Sequence, residues 1–505
     1  MTHPTEPETK QTVIVGSGFS GLCAAINLKK AGFHDFVILE KATDVGGTWR
    51  DNSYPGSACD VPSVLYSFSF FQNPAWTRKF PSWSELHAYL RQVAEHFDLW
   101  SHLRFGVEVD EIRFDQPSGT WTVSTDDGQT FEAKYVINAT GVLSKPAIPN
   151  IPGLESFEGT AFHSARWRHD LSLSGRRVAV IGTGASAIQF VPQIAKEVSQ
   201  LTIFQRSPHW IMPRGDQEIP LSRRVLYRRL PFLQRLERWK TYWEFEWLAR
   251  GFLGHPKVVE GYRQLALGYL EASVKDDSLR ETLTPDYTPG CKRRLVSDDW
   301  FPTLQRENVE LVTTGIDRIT PDSVITTDGV EHAVDTIVFG TGFAATDFIA
   351  PIKVTGIGGQ ELSTVWTGGA ATLHGISTAG FPNFFTMLGP NTTLGHNSMV
   401  FMIEAQARYI TSAIERTHAL GDAAANLHPD VQEAAYTRLQ KKMKGTVWMS
   451  GCHSWYQSAD GRIDTLWPGT TIEYWVRTRK FRLEDHDVLR PLTRAQEKQP
   501  GQYVG

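Results

Sequence analysis

Two glycine-rich turns in this chain could each hold the phosphates of a dinucleotide. The first lies in TVIVGSGFSGLCAAINLKKAG followed by FVILEK, which reads as a strand, a turn, a helix and a second strand. Gly16 permits the tight turn, Gly18 lets the backbone approach a pyrophosphate, and Gly21 lets the helix pack closely on the strand. The N-terminus of that helix would direct unpaired N–H groups at the phosphates.

The residue that ends the second strand bears on which dinucleotide binds. Glu40 stands at the position where a carboxylate accepts hydrogen bonds from the ribose hydroxyls. The same carboxylate would repel a 2′-phosphate. We therefore expect FAD or NAD, and not NADP, at the first turn.

A second copy of the pattern differs at that discriminating position. In RVAVIGTGASAIQFVPQIA, Gly182, Gly184 and Ala187 take the three turn positions. Arg206, followed by Ser207, replaces the acid, and a guanidinium there would attract a 2′-phosphate. The second site should prefer NADPH to NADH. For either turn, an ordinary strand-to-helix turn without a ligand is the alternative.

The composition of the whole chain fits a globular protein of several domains. It has 505 residues, 41% of them hydrophobic, and its 51 Lys and Arg against 55 Asp and Glu give a net charge of −4. That length predicts two to four domains. An acidic balance without a basic tail argues against nucleic acid as a partner.

Compartment and metal content are also constrained by the sequence. The N-terminus lacks the layout of a signal peptide, and no run approaches the roughly 18 apolar residues that a membrane span requires. The four cysteines lie far apart in the sequence, so they form neither a CxxC redox motif nor a zinc-binding motif. We expect a cytoplasmic protein with no metal, for which membrane contact is unfavoured.

Two similar strands and a proline-rich linker suggest how the two dinucleotide domains are connected. The strand KYVINATGV precedes a proline-rich linker, and a matching strand, DTIVFGTGF, ends at Phe343. We expect an α/β protein with two Rossmann-like domains, one for FAD (1–148 and 334–505) and one for NADPH (153–333). A helical insertion at about 216–284 carries interleaved tryptophans and arginines. An amphipathic helix on a membrane surface is possible, but a roof over the substrate entrance is favoured.

Two longer motifs carry a resemblance to a known family. GGTWRDNSYPGSACD, residues 46–60, matches the longer signature of the type I Baeyer–Villiger monooxygenases, which are class B flavoprotein monooxygenases, at every specified position. FEGTAFHSARW, residues 157–167, matches the shorter signature FxGxxxHxxxW. The block WYQSADGRIDTLWPG is similar to the hydroxyacetophenone monooxygenase subgroup. Arg168 stands where the family has Pro or Asp, which is closer to the sister enzymes that oxidise nitrogen and sulfur.

The resemblance implies an enzyme that uses NADPH, O2 and FAD to convert ketones into esters or lactones through a C4a-peroxyflavin. Arg293 would be the catalytic cation, Asp60 would orient it, and Lys292 would help to bind the 2′-phosphate. Trp455 would donate a hydrogen bond to the bound nicotinamide nucleotide. The positions that the resemblance places along the flavin are Gly47, Thr48, Trp49, Tyr54 and Asp60.

Several alternatives stay open at this point. Arg294 could face the flavin in place of Arg293, or the whole basic run could be a solvated turn. Asp60 could serve an Asx turn, and Trp49 and Tyr54 could be core residues. For function, the rivals are oxygenation of nitrogen or sulfur and a nucleotide-binding module without catalysis. The sequence specifies neither the ketone nor the oligomeric state.

Overall fold

The computed structural model describes residues 6–344, 346–349, 351–421, 423–452, 454, 456–458 and 460–490. The strands in these ranges are β1 (Glu8–Val15), β2 (Phe36–Glu40), β3 (Leu103–Phe105), β4 (Val109–Asp115), β5 (Thr120–Thr125), β6 (Thr130–Asn138), β7 (Thr160–His163), β8 (Arg177–Ile181), β9 (Gln200–Phe204), β10 (Ile211–Met212), β11 (Leu295–Val296), β12 (Val309–Val312), β13 (Ile316–Ile319), β14 (Ser323–Thr326), β15 (Glu331–Ala333), β16 (Thr336–Phe339), β17 (Lys353–Thr355), β18 (Phe384–Thr386), β19 (Ala424–Leu427) and β20 (His486–Leu489). The helices are α1 (Phe19–Lys30), α2 (Thr48–Asp51), α3 (Trp83–His96), α4 (Ala187–Ile194), α5 (Leu221–Arg229), α6 (Pro231–Phe252), α7 (Pro256–Ser273), α8 (Asp277–Leu283), α9 (Trp300–Leu304), α10 (Leu362–Val365), α11 (Met399–His418), α12 (Pro429–Met443) and α13 (Thr471–Arg477).

The first sheet carries the first glycine turn. Its strand order is β17-β4-β5-β6-β1-β2-β3, with β18 also paired to β6. The strands β1, β2 and β6 run parallel, and all five residues of β2 are buried. Its first four residues are apolar, as a strand covered on both faces requires, and the fifth is Glu40. Helix α1 packs against α11, so the chain after residue 398 completes the core that the N-terminal part begins.

The second sheet carries the second glycine turn and is wholly parallel, in the order β12-β9-β8-β16-β7. One mixed and one parallel sheet, each with a strand-turn-helix unit, confirm the predicted α/β class. Strand β16, Thr336–Phe339, lies in this sheet between β8 and β7. The predicted domain boundary at residue 333 is therefore too early, because the apolar β16 is the last strand of the second domain. The chain rejoins the first sheet at β17 and β18.

The helices α5 to α8 form the insertion, within the range that the sequence predicts. Helix α6 lies against the first domain, where Arg238 donates to the carbonyl oxygens of Val64 and Leu65 at 2.9 Å each. Tyr242 stacks on Phe401 with ring centroids 5.4 Å apart. The inner face of α6 thus covers the first domain. Among the described residues, no helix combines the length and the apolar character that crossing a bilayer would require.

Candidate active site

Two glycines of the first turn, Gly16 and Gly21, stand where a side chain does not fit. Gly16 has a φ of +101°, and a Cβ added there would lie 2.8 Å from the carbonyl oxygen of Ala139. A Cβ on Gly21 would lie 1.9 Å from the carbonyl oxygen of Gly16, so the helix could not pack on the turn. Gly18 faces Gly47, with 3.7 Å between the added Cβ and the Gly47 Cα. No side chain of these glycines therefore covers the backbone of the turn, and a pyrophosphate could approach it closely.

Glu40 is buried at the end of β2 and is held on several sides. Its Oε2 accepts from the backbone N–H of Ser17 at 2.9 Å and from the Ser17 hydroxyl at 2.7 Å. Its Oε1 lies 3.1 Å from Nη1 of Arg50. A carboxylate fixed in this way stands beside the first turn, and its contact with ribose stays a prediction.

The second turn repeats this geometry at the end of β8. Gly182 has a φ of +100°, and an added Cβ would lie 2.6 Å from the carbonyl oxygen of Gly340. Gly184 is more open, with 4.0 Å between its added Cβ and the same oxygen. Ala187 begins α4 and is fully buried, so it packs behind the turn.

A small basic group lies beside the second turn. Lys292 Nζ donates to the hydroxyl of Ser207 at 2.7 Å, although 85 residues separate them in sequence. Burial, and then the charge of Arg206, lower the pKa of Lys292. Burial also lowers the pKa of His209 to about 4, so this residue, which sequence reasoning missed, is neutral beside two cations. Two cations and a hydroxyl at one place suit a phosphate.

One cavity of about 1090 Å³ joins the two turns. The sequence-predicted residues that line it are Gly16, Gly18, Glu40, Gly47, Thr48, Trp49, Tyr54, Asp60, Gly182, Gly184, Arg206, Ser207, Lys292 and Arg293. Gly21 and Ala187 support the turns from behind. Trp455 lies outside the described residues. A cavity of this size, shared by two dinucleotide turns, can bring two coenzymes together.

Arg293 and Asp60 form an ion pair on the wall of this cavity. The Asp60 Oδ2 accepts from Nε of Arg293 at 3.1 Å and from Nη2 at 2.5 Å. Burial alone would raise the pKa of Asp60, but the charge and hydrogen bonds of Arg293 outweigh it and hold the pKa below its usual value. The charge of Asp60 likewise raises the pKa of Arg293. The pair therefore stays ionised, and both members reach the cavity.

Arg294 points elsewhere. Its guanidinium carbon lies 5.6 Å from the ring centroid of Tyr262, on helix α7 of the insertion, and Arg294 is not among the residues that line the cavity. Of the two neighbouring arginines, the one that faces the cavity is Arg293.

The signature loop is tied to the second domain by a residue that the sequence did not single out. Gln189, on α4, accepts from the Tyr54 hydroxyl at 3.0 Å and donates to the carbonyl oxygen of Ala58 at 2.9 Å. Trp49 donates to the hydroxyl of Tyr66 at 3.3 Å. Tyr54 is buried in the core, Trp49 is half-buried against it, and both also line the cavity. A lone glutamine inside a helix gives no sequence signal for such a bridge.

Folding brings two of the four cysteines together. Cys291 and Cys452, at a sequence separation of 161, form a disulfide, whereas Cys23 and Cys59 are buried thiols. The spacing of the cysteines therefore does not support a reducing compartment, because distance in sequence says nothing about distance in the fold. The disulfide stands next to Lys292 and ties this basic turn to the loop around Tyr456. The buried Tyr456 interacts with Arg293, and burial raises its pKa to about 12.

The residues of the shorter signature lie away from the cavity. Arg168 pairs with the exposed Asp170 at 2.7 Å. Trp167 packs edge-on against Phe162, with ring centroids 5.3 Å apart. His163 is buried at the end of β7, and burial lowers its pKa to about 4. Arg168, the residue that favoured heteroatom oxidation, thus has a surface role in this fold.

Together, the fold and the site define an oxidoreductase with two dinucleotide sites and a fixed arginine where their cavity is shared. In the described residues, His, Cys, Asp and Glu form no group of three that could hold a metal ion. Residues 13–236 match a family model described as pyridine nucleotide-disulphide oxidoreductase.

Comparison of the whole chain identifies the family. A Baeyer–Villiger monooxygenase from Streptomyces coelicolor is 46% identical over 491 residues, which cover 97% of this chain and 94% of that protein. A Baeyer–Villiger monooxygenase from Pseudomonas aeruginosa is 43% identical, over 95% of this chain and 92% of that protein. The chain belongs to the Baeyer–Villiger monooxygenase family, which confirms the resemblance that the two signatures carry.

Solved structures agree with this assignment. The closed crystal structure of cyclohexanone monooxygenase is 28% identical with a TM-score of 0.86, over 96% of this chain and 99% of that one. An oxidised steroid monooxygenase bound to NADP is 30% identical with a TM-score of 0.84, over 95% and 99%.

Proposed function

We propose that this protein uses FAD, NADPH and O2 to insert one oxygen atom beside a ketone carbonyl, giving an ester or a lactone. The observation that carries the proposal is the Arg293–Asp60 ion pair on the wall of a cavity that both glycine turns share. A binding module without chemistry would not require a fixed cation on the wall of that cavity.

The residues around the first turn fit FAD. Gly16 and Gly18 leave the space that a pyrophosphate needs, and Glu40 offers a fixed carboxylate to ribose. Trp49 and Tyr54 would border the isoalloxazine ring, where their packing keeps water out. When bound, FAD would supply the redox centre that activates O2.

The residues around the second turn fit NADPH, which would supply the hydride. Gly182 and Gly184 would face its pyrophosphate. Arg206, Ser207 and Lys292 would hold the 2′-phosphate that distinguishes NADPH from NADH.

Arg293 would stabilise negative charge on the reacting oxygen atoms. Its pKa is raised, so it keeps its proton and acts as an electrostatic group rather than an acid. Asp60 would fix the plane of the guanidinium through two hydrogen bonds to one oxygen. Because such a cation is already in place, it needs no reorganisation as charge develops.

A ketone is proposed because a positively charged wall suits the oxyanion formed when a carbonyl carbon is attacked. The rival chemistry, oxygenation of nitrogen or sulfur, has Arg168 as its sequence support, and in the fold Arg168 pairs with the exposed Asp170 and does not line the cavity.

Product analysis tests the proposal. The purified protein would be mixed with NADPH, air and a panel of linear, cyclic and aryl ketones together with one thioether. The expected products are esters or lactones that are one oxygen atom heavier than the ketone. Sulfoxide as the sole product, with every ketone recovered unchanged, would contradict the proposal.

A cytoplasmic location is part of the proposal because the reaction consumes NADPH, which cellular metabolism regenerates. The Cys291–Cys452 disulfide is the observation that argues against a reducing compartment. Alkylation of thiols in intact cells, followed by mass spectrometry, distinguishes the two. Free thiols at both positions would fit the cytoplasm, and a disulfide formed before lysis would contradict it.

A further inference from the structure

Helix α6 carries a row of large apolar side chains that faces solvent. Phe232, Leu236, Trp239, Trp243 and Trp247 are 44–64% exposed and recur every three or four residues, so they form one stripe along the helix. We call these five residues the outer stripe. Such a row on the outside of a folded protein marks a surface that contacts something else.

The inner face of the helix prevents the outer stripe from turning inward. Gln234 donates to the carbonyl oxygen of Asn73 at 2.7 Å, and Arg238 holds two carbonyls of the same domain. Near the other end, the buried Glu246 accepts from the amide of Asn397 at 2.9 Å and from the backbone N–H of Thr471 at 2.8 Å. These bonds fix the rotation of α6, and the outer stripe is held outward.

Basic residues are frequent on α6 and on the preceding helix α5. The helices α5 and α6, residues 221–252, hold eight Arg and Lys against three Glu, a net charge of +5 in a chain whose net charge is −4. The exposed basic residues are Arg223, Arg228, Arg229, Arg235, Lys240 and Arg250, of which Arg223 pairs with Glu237 and Lys240 with Glu244. A surface with this much positive charge attracts negatively charged partners.

We propose that the outer stripe and its basic border form a docking surface for an anionic lipid membrane. Tryptophan favours the interface between lipid headgroups and acyl chains, and arginines beside it pair with lipid phosphates. A second copy of this chain fits poorly, because two such surfaces would bring +5 against +5. The docking is peripheral, and it goes beyond the proposed function without depending on it.

Vesicle sedimentation with the full-length protein tests this surface. Wild type should sediment with vesicles of phosphatidylcholine containing about one-third phosphatidylglycerol, weakly with phosphatidylcholine alone, and less as salt is raised. The variant W239S/W243S/W247S should lose at least about tenfold in partitioning. The variant R228Q/R229Q/R235Q should lose on the order of 100-fold.

A matched control replaces apolar residues that are exposed elsewhere, in V330S/L420S/V476S, which should bind like wild type. Unchanged binding by the tryptophan variant, or no binding of wild type to the anionic vesicles, would overturn the proposal. So would a dimer that dissociates when the tryptophans are replaced, because the stripe would then be an interface between copies. NADPH oxidation measured without vesicles should be the same in all variants, which separates failed docking from failed catalysis.

Discussion

Replacing Arg206 by alanine should change the choice of coenzyme. Arg206 lies on the cavity wall beside Lys292, whose Nζ is 2.7 Å from the Ser207 hydroxyl. A charge-assisted hydrogen bond is worth about 1.5–3 kcal/mol, so Arg206→Ala should weaken NADPH binding about 10- to 150-fold. Lys292 and Ser207 remain in the variant, which favours the lower part of that range. NADH, which lacks the 2′-phosphate, should be affected less than about twofold.

Titration calorimetry with both coenzymes measures this directly, because a dissociation constant does not depend on later steps as a KM does. Arg306→Ala is the matched control, since Arg306 is an exposed arginine of the same domain that does not line the cavity. It should leave both affinities unchanged. Equal weakening of NADPH and NADH by Arg206→Ala would refute the assignment of Arg206 to the 2′-phosphate.

Three further predictions concern folding. Gly21→Ala should yield little folded protein, because its Cβ would lie 1.9 Å from a backbone oxygen. Gly184→Ala should fold, because its Cβ would lie 4.0 Å from the nearest backbone oxygen. Expression yield and circular dichroism compare the two variants, and equal yields of folded protein would contradict the prediction. His163 has a pKa of about 4 in the folded protein against about 6.5 unfolded, so the stability it contributes is complete above pH 6.5 and is lost as the pH falls towards 4. In urea unfolding below pH 6.5, the free energy of unfolding of His163→Gln should fall with pH less steeply than that of wild type, by up to about 1.4 kcal/mol per pH unit. The same pH dependence in both proteins would contradict a buried neutral His163. Cys291→Ser with Cys452→Ser should cost about 2–4 kcal/mol in urea unfolding, and no loss would show that the crosslink does not constrain the unfolded chain.

The glycine turns were predictable because they obey a local rule. A strand, a turn that needs positive φ and a helix that must pack closely restrict Gly16, Gly21 and Gly182 within a few residues of sequence. The charge at the end of the following strand, Glu40 or Arg206, is equally local. The sequence therefore predicts two sites and a different coenzyme for each.

Features that depend on distant contacts were not predictable. The turn at residues 288–294 is irregular, so no periodicity in the sequence shows which of Arg293 and Arg294 faces the cavity. In the fold, Arg294 contacts Tyr262 of the insertion, and Arg293 lines the cavity. The disulfide joins positions 161 residues apart. The bridge through Gln189 likewise depends on how one domain meets the other.

The outer face of α6 shows the same limit. Its alternation of aromatic and basic residues predicted an amphipathic helix, but not which face would be buried. Polar anchors such as Glu246 determine the rotation, and a buried charge in a helix is not what a hydrophobic pattern would select for the inner face.

The central claim is that Arg293 is the cation of the oxygenation step, and a comparison of two neighbouring arginines tests it most directly. Arg293→Ala and Arg294→Ala remove the same group from adjacent positions, of which only the first lines the cavity. Stopped-flow absorbance would follow reduction of the flavin by NADPH, and mass spectrometry would follow ester formation. We predict that both variants are reduced, that Arg294→Ala forms ester, and that Arg293→Ala forms none. Normal ester formation by Arg293→Ala would contradict the account.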